Sequence, residues 1–124
     1  MQQRHTDPRR YFNEQASSTG KHIIPFIENV RKIEAGMNVL EIGCGEAGNL
    51  MPFLEKGCFC TGVDYSTPKI EKGKSFYAEH PNAEKICLIS DDIYNTKEFE
   101  AKFDIIILKD VIEHIHDQDK FMGL

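Results

Sequence analysis

Val39-Leu40-Glu41-Ile42-Gly43-Cys44-Gly45-Glu46-Ala47-Gly48 decides how the rest of the chain is read. Val39 to Ile42 is an apolar run carrying one acid, the pattern of a buried strand. Three glycines follow at the spacing Gly43-x-Gly45-x-x-Gly48, and Asn49-Leu50-Met51 opens a helical pattern. A strand that runs through a glycine turn into a helix makes a corner where the backbone can approach a ligand closely. The glycine spacing alone leaves the identity of that ligand open.

Outward from this corner, strands and helices alternate. A helix is expected from about Ala47 to Lys56, stopped by Gly57. A second strand follows over Cys58 to Val63, closed by Asp64. Ser66 suits an N-cap and Pro68 an early helical position, which predicts a helix to about Glu79 with Ile70, Gly73, Phe76 and Tyr77 inward. Lys85 to Ser90 reads as strand three and Phe103 to Leu108 as strand four. The unbroken Ile105-Ile106-Ile107 core implies burial on both faces, as in a parallel sheet. Another helix is expected from Asp110. Upstream, Ile23, Phe26, Ile27, Val30 and Ile33 fall at helical spacing, with Gly36 as the stop. Residues 1–20 are polar and broken by Pro8 and Gly20, and are expected to form a flexible arm, with room for one short helix, before a domain over 21–124.

This alternation predicts an α/β fold, a Rossmann-like parallel sheet of about four strands with helices on both faces and right-handed crossovers. Ligands of such sheets sit at the carboxyl ends of the strands. Those ends carry Glu41 with the glycine turn, Asp64, Asp91-Asp92 and Lys109-Asp110.

The 124 residues suffice for one domain with a core, and the net charge of −5 argues against a nucleic-acid partner. No apolar run approaches the roughly 20 residues of a membrane span. Cys44, Cys58, Cys60 and Cys87 lack the spacing of a metal site and are expected as reduced thiols of a cytoplasmic protein.

An acid at the end of strand two fits a dinucleotide as well as any other nucleoside, because a carboxylate can accept from both ribose hydroxyls. The corner itself does not fit a pyrophosphate, which needs donors and positive helix ends. Glu41 and Glu46 flank the turn and would repel a diphosphate at low dielectric. The same acids favour a ligand with an ammonium and a sulfonium. S-adenosyl-L-methionine is such a ligand, and the acids at strands one, two and three follow the order in which it would lie.

Val39-Leu40-Glu41-Ile42-Gly43-Cys44-Gly45, Gly62-Val63-Asp64-Tyr65-Ser66, Ser90-Asp91-Asp92-Ile93 and Phe103-Asp104-Ile105-Ile106 resemble the successive motifs of class I S-adenosylmethionine-dependent methyltransferases. The resemblance runs over about residues 22 to 120, in the family's order. It implies strand order 3-2-1-4 and, because the family's sheet has seven strands, the N-terminal half of a longer methyltransferase. It also implies that Glu41, Gly43, Cys44 and Gly45 surround the methionyl part. Asp64 and Tyr65 would adjoin the ribose, Asp91, Asp92 and Ile93 the adenine, and the Lys109 backbone the ligand's amino group. Lys109 to Asp117 resembles the segment after strand four in the quinone-biosynthesis O-methyltransferases. It is also similar to the metal-binding segment of small-RNA 2′-O-methyltransferases, but the further histidine of that site is missing. Asp110, Glu113 and His114 are therefore read as a solvated acidic cluster and no metal is assigned.

His114 is the candidate general base for an acceptor that must lose a proton. The acceptor is expected to be a small molecule. Two other readings stand beside this one: an NAD(P)-binding oxidoreductase domain, and a binding module without catalysis. Strand four would be an apolar sheet edge, which predicts self-association there or through the helix after it.

Overall fold

The computed structural model describes residues 7–91 and 103–108. Along them run α1 (Pro8–Ser18), a π-helical turn (Thr19–Ile23), α2 (Ile24–Glu28), β1 (Asn38–Ile42), a 3₁₀ turn (Gly48–Leu50) and α3 (Met51–Glu55). Then follow β2 (Phe59–Asp64), α4 (Thr67–Tyr77), a 3₁₀ turn (Ala83–Lys85), β3 (Ile86–Ser90) and β4 (Ile105–Ile107). The strands form one sheet in the order β3-β2-β1-β4 with every pair parallel, as expected. None of the described helices is long and apolar enough to cross a membrane.

The register sets what each face of the sheet carries. Glu41 stands opposite Gly62 on one side and Ile107 on the other, and Gly62 stands opposite Leu88. Since side chains alternate along a strand, Val39, Cys60, Leu88, Ile105 and Ile107 share one face with Glu41. That face packs against Phe12, Ile24, Leu50, Phe53, Leu54, Ile70 and Tyr77 from the helices. The opposite face gathers Leu40, Ile42 and Val63, with Ile89, Phe103, Ile106 and Leu108 around them. The helix expected from Asp110 lies outside the described residues.

Where it is described, the arm expected over 1–20 carries one short helix that is packed onto the core. Residues 8–18 are helical, capped by Asp7, whose Oδ1 accepts from the Arg10 amide at 3.0 Å. Phe12 is buried edge-on against Phe76 and Tyr77, at centroid distances of 5.0 and 5.2 Å. The Arg9 guanidinium covers the rings of Phe12 and Phe76. One aromatic ring decides the matter, because burying it contributes roughly 1.5–3 kcal/mol and the polar neighbours need only face water.

The helix expected over 21–33 is also revised. The buried stripe runs Phe12, Gln15, Thr19 at regular spacing, and the π turn adds a residue so that it continues at Ile24 rather than Phe26, with Val30 beyond the helix end. Phe26 and Val30 are 72% and 87% exposed. α2 ends at Glu28, well before Gly36, which instead lies in the turn before β1 and donates its amide to Gly57 O at 3.0 Å. At the opposite end of the sheet from the glycine turn, Asp104 fastens β4 to β1. Its Oδ2 accepts from the Asn38 amide and its own amide donates to Asn38 O, both at 2.8 Å.

Candidate functional site

The glycine turn leaves β1 and folds back over the end of β2. Gly43 and Gly45 have φ of 77° and 59°, conformations that a side chain disfavours. The amides of Gly43 and Cys44 both donate to Val63 O, at 2.7 and 3.1 Å. The turn is thereby sewn to the neighbouring strand by backbone alone.

Asp64 completes that seam. Its Oδ2 accepts from the Gly45 amide and its Oδ1 from the Ser66 amide, each at 2.8 Å. Its carbonyl accepts from the Asp91 amide at 3.0 Å. Ser66 then caps α4 through its hydroxyl, which accepts from the Lys69 amide. Three strand ends are joined around one carboxylate, and the geometry brings the sequence-derived residues Gly43, Gly45, Asp64 and Asp91 together.

Glu41 is held in another way. It is 1% exposed, and its Oε2 accepts from Asn49 Nδ2 at 2.8 Å. Asn49 Oδ1 in turn accepts from the Thr19 hydroxyl at 2.7 Å. Asn49 and Thr19, each also 1% exposed, were not singled out from the sequence. Asn49 did carry a signal, being a polar residue at the head of an otherwise apolar helical pattern. Thr19 carried none, standing in a polar stretch where only Phe12 marks the buried side of the helix.

Cys44 is buried with its Sγ where a side chain on Gly62 would stand, 2.8 Å from a Cβ placed there. Burial pushes its thiol pKa up, and the Glu41 and Asp64 carboxylates push it further. It is a protonated spacer and no nucleophile. Tyr65, at the end of β2, is 83% exposed. Asp92, Ile93, Lys109 and His114 lie outside the described residues, as do Asp110 and Glu113.

The far side of the turn is gripped by helices. Ala47 has φ of 73°, unusual for a residue with a side chain. Its amide donates to Cys44 O at 2.9 Å and its carbonyl accepts from the buried Tyr77 hydroxyl at 2.6 Å. Burial raises the Tyr77 pKa, aided by Cys60 and Glu41, so that phenol stays a donor. A Cβ on Gly48 would lie 2.6 Å from Phe12 O, and one on Gly73 2.6 Å from Glu46 O. The third glycine of the fingerprint therefore admits the backbone of α1; its closest approach is to protein.

Chemically, the corner offers acceptors. Glu41 and Asp64 are buried carboxylates, Glu46 is largely buried and Asp91 exposed, with the Lys69 stem beside Gly45. Such a corner suits hydroxyl and ammonium donors, and each Asp64 oxygen retains lone-pair capacity beyond its one backbone bond. Among the described residues no group of three His, Cys, Asp or Glu is placed to hold a metal ion.

Residues 12–123 match the family model of a methyltransferase domain. The chain is 34% identical over 92 residues to a ubiquinone biosynthesis O-methyltransferase of Rhodopseudomonas palustris (strain BisA53), covering 72% of this chain and 34% of that protein. Among solved structures it resembles PKMT2 from Rickettsia typhi in complex with AdoHcy. The TM-score is 0.60 and the identity 32%, over 69% of this chain and 17% of that one. It also resembles the YcgJ protein of Bacillus subtilis, with TM-score 0.65 and 24% identity over 81% of this chain and 42% of that one, a likeness of fold alone. The chain spans about a third of the length of the curated relatives it matches.

Proposed function

The chain belongs to the class I S-adenosylmethionine-dependent methyltransferase family, and we propose that it binds S-adenosylmethionine at the carboxyl ends of β1, β2 and β3. Its role is then to hold the methyl donor for transfer to a small-molecule oxygen, nitrogen or carbon acceptor. The observation that carries this reading is the charge of the corner. Buried Glu41 and backbone-pinned Asp64 flank a glycine turn, a setting that favours a cationic ligand over a diphosphate.

In this reading Glu41 and the Gly43–Gly45 turn serve the methionyl end. Asp64 accepts from the ribose hydroxyls with the lone pairs its amide bonds leave, and Tyr65 and Asp91 border the nucleoside. Asp92 and Ile93 serve the adenine and the Lys109 backbone the amino group, with His114 as the base for a protonated acceptor. When bound, the sulfonium supplies a methyl carbon already activated for in-line displacement. The protein's contribution is alignment and exclusion of water. The names of two relatives, a ubiquinone biosynthesis O-methyltransferase and a norajmaline N-methyltransferase, support oxygen and nitrogen acceptors of small size. Free buried thiols at Cys44, Cys58 and Cys60 suit the reducing cytoplasm.

Calorimetric titration of the chain with S-adenosylhomocysteine and with NAD tests the reading. Binding of the former alone is expected, and binding of NAD alone overturns it. β4 is the end strand of the described sheet, and we propose it as the edge through which chains associate. Sedimentation as a clean monomer at micromolar concentration would reject that edge role.

A further inference from the structure

The buried chain Thr19–Asn49–Glu41 reaches the donor corner from outside the strands. Its members are separated by 30 and 8 positions in sequence, and its two links are 2.7 and 2.8 Å long. A carboxylate only accepts, so the Asn49 amide must turn its NH₂ to Glu41 and its oxygen to a donor, which the Thr19 hydroxyl provides. The amide is thus clamped at both ends, and it clamps Glu41 Oε2 in turn. Without Asn49 this buried side chain would lose the donor on Oε2 and with it one defined rotamer.

We infer that Asn49, steadied by Thr19, is a positioning residue that aims the Glu41 carboxylate toward the ammonium of the methyl donor. The inference rests on the donor-binding reading above. Its signature is selective. A ligand with the amino-acid end feels the aim of Glu41, whereas one lacking that end does not. Thr19 lies on the buried side because it continues the Phe12 and Gln15 stripe of α1 at regular helical spacing.

The test titrates the full chain with S-adenosylhomocysteine and with 5′-methylthioadenosine, which shares the adenosine and thioether but has no amino-acid end. Asn49→Leu is expected to weaken the first ligand about 10-fold and the second less than about 2-fold. In a Glu41→Gln background the same change at 49 is expected to add less than about 2-fold. Should Asn49→Leu fold poorly, Thr19→Val removes one hydroxyl at constant shape, with an expected loss of about 3-fold for S-adenosylhomocysteine only. Equal weakening of both ligands, or of neither, overturns the positioning role while leaving donor binding intact. Failure of the parent chain to bind S-adenosylhomocysteine overturns the donor-binding reading and this inference with it.

Discussion

Asp64 and Glu41 are both buried acids on the same face of neighbouring strands, yet they are supported by different means. Asp64 is held by two backbone amides, one two residues away and one in the turn of the adjacent strand. Glu41 is held by a side chain, which is itself held by a side chain from the N-terminal helices. Backbone donors come with the fold and need no particular residue type. Side-chain donors depend on identity at each link, so the Glu41 support is the more easily lost by substitution. The fold itself organises the Asp64 side of the corner, while the Glu41 side needs specific residues from afar.

Exchanging each carboxylate for its amide breaks the comparison open. At Asp64→Asn, one of two backbone donors meets an NH₂ group that cannot accept. Affinity for S-adenosylhomocysteine should fall about 100-fold and stability by about 1–3 kcal/mol in urea unfolding. At Glu41→Gln the new amide oxygen can still accept from Asn49. Affinity should fall about 10-fold with stability changed by less than about 1 kcal/mol. Equal losses of stability at the two positions would show that the two modes of support do not differ.

A smaller effect concerns the thiol between the acids. Cys44 and Cys60 have folded-state pKa values pushed above the ordinary 9.0, first by burial, and Cys58 is shifted the same way. The folded chain keeps protons that the unfolded chain gives up, so stability is whole well below pH 9 and declines as pH rises through it and beyond. At pH 9 the loss is about 0.4 kcal/mol for each fully buried thiol, growing with each further unit. Urea midpoints that stay constant from pH 7 to 10 would contradict it.

The strands were legible because their signals are local. Each of the four described strands overlaps its expected apolar run to within a residue at either end or lies inside it, and Ser66 caps the helix where its hydroxyl implied. The position of Asp64 beside the glycine turn was equally legible, since both stand at the carboxyl ends of neighbouring parallel strands. What escaped was register and reach. One extra residue in a helical turn moved the buried stripe from Thr19 on to Ile24 and left Phe26 in solvent, and no spacing rule written for 3.6 residues per turn detects it. Gly48 was read as room for a ligand when it is room for the Phe12 carbonyl, a contact 36 positions away in sequence. Long-range close approach leaves only a glycine behind in the sequence, without saying what approaches.

Gly62 extends that lesson to evolution and design. A Cβ there would meet Cys44 Sγ at 2.8 Å and Leu88 Cδ2 at 2.9 Å, so positions 44 and 62 divide one fixed volume. A sequence that carries alanine at 62 on this backbone must carry a smaller residue than cysteine at 44, with Leu88 adopting another rotamer. The two positions are then free to vary only as a pair, and a sequence change in the middle of β2 constrains which residue the glycine turn can carry.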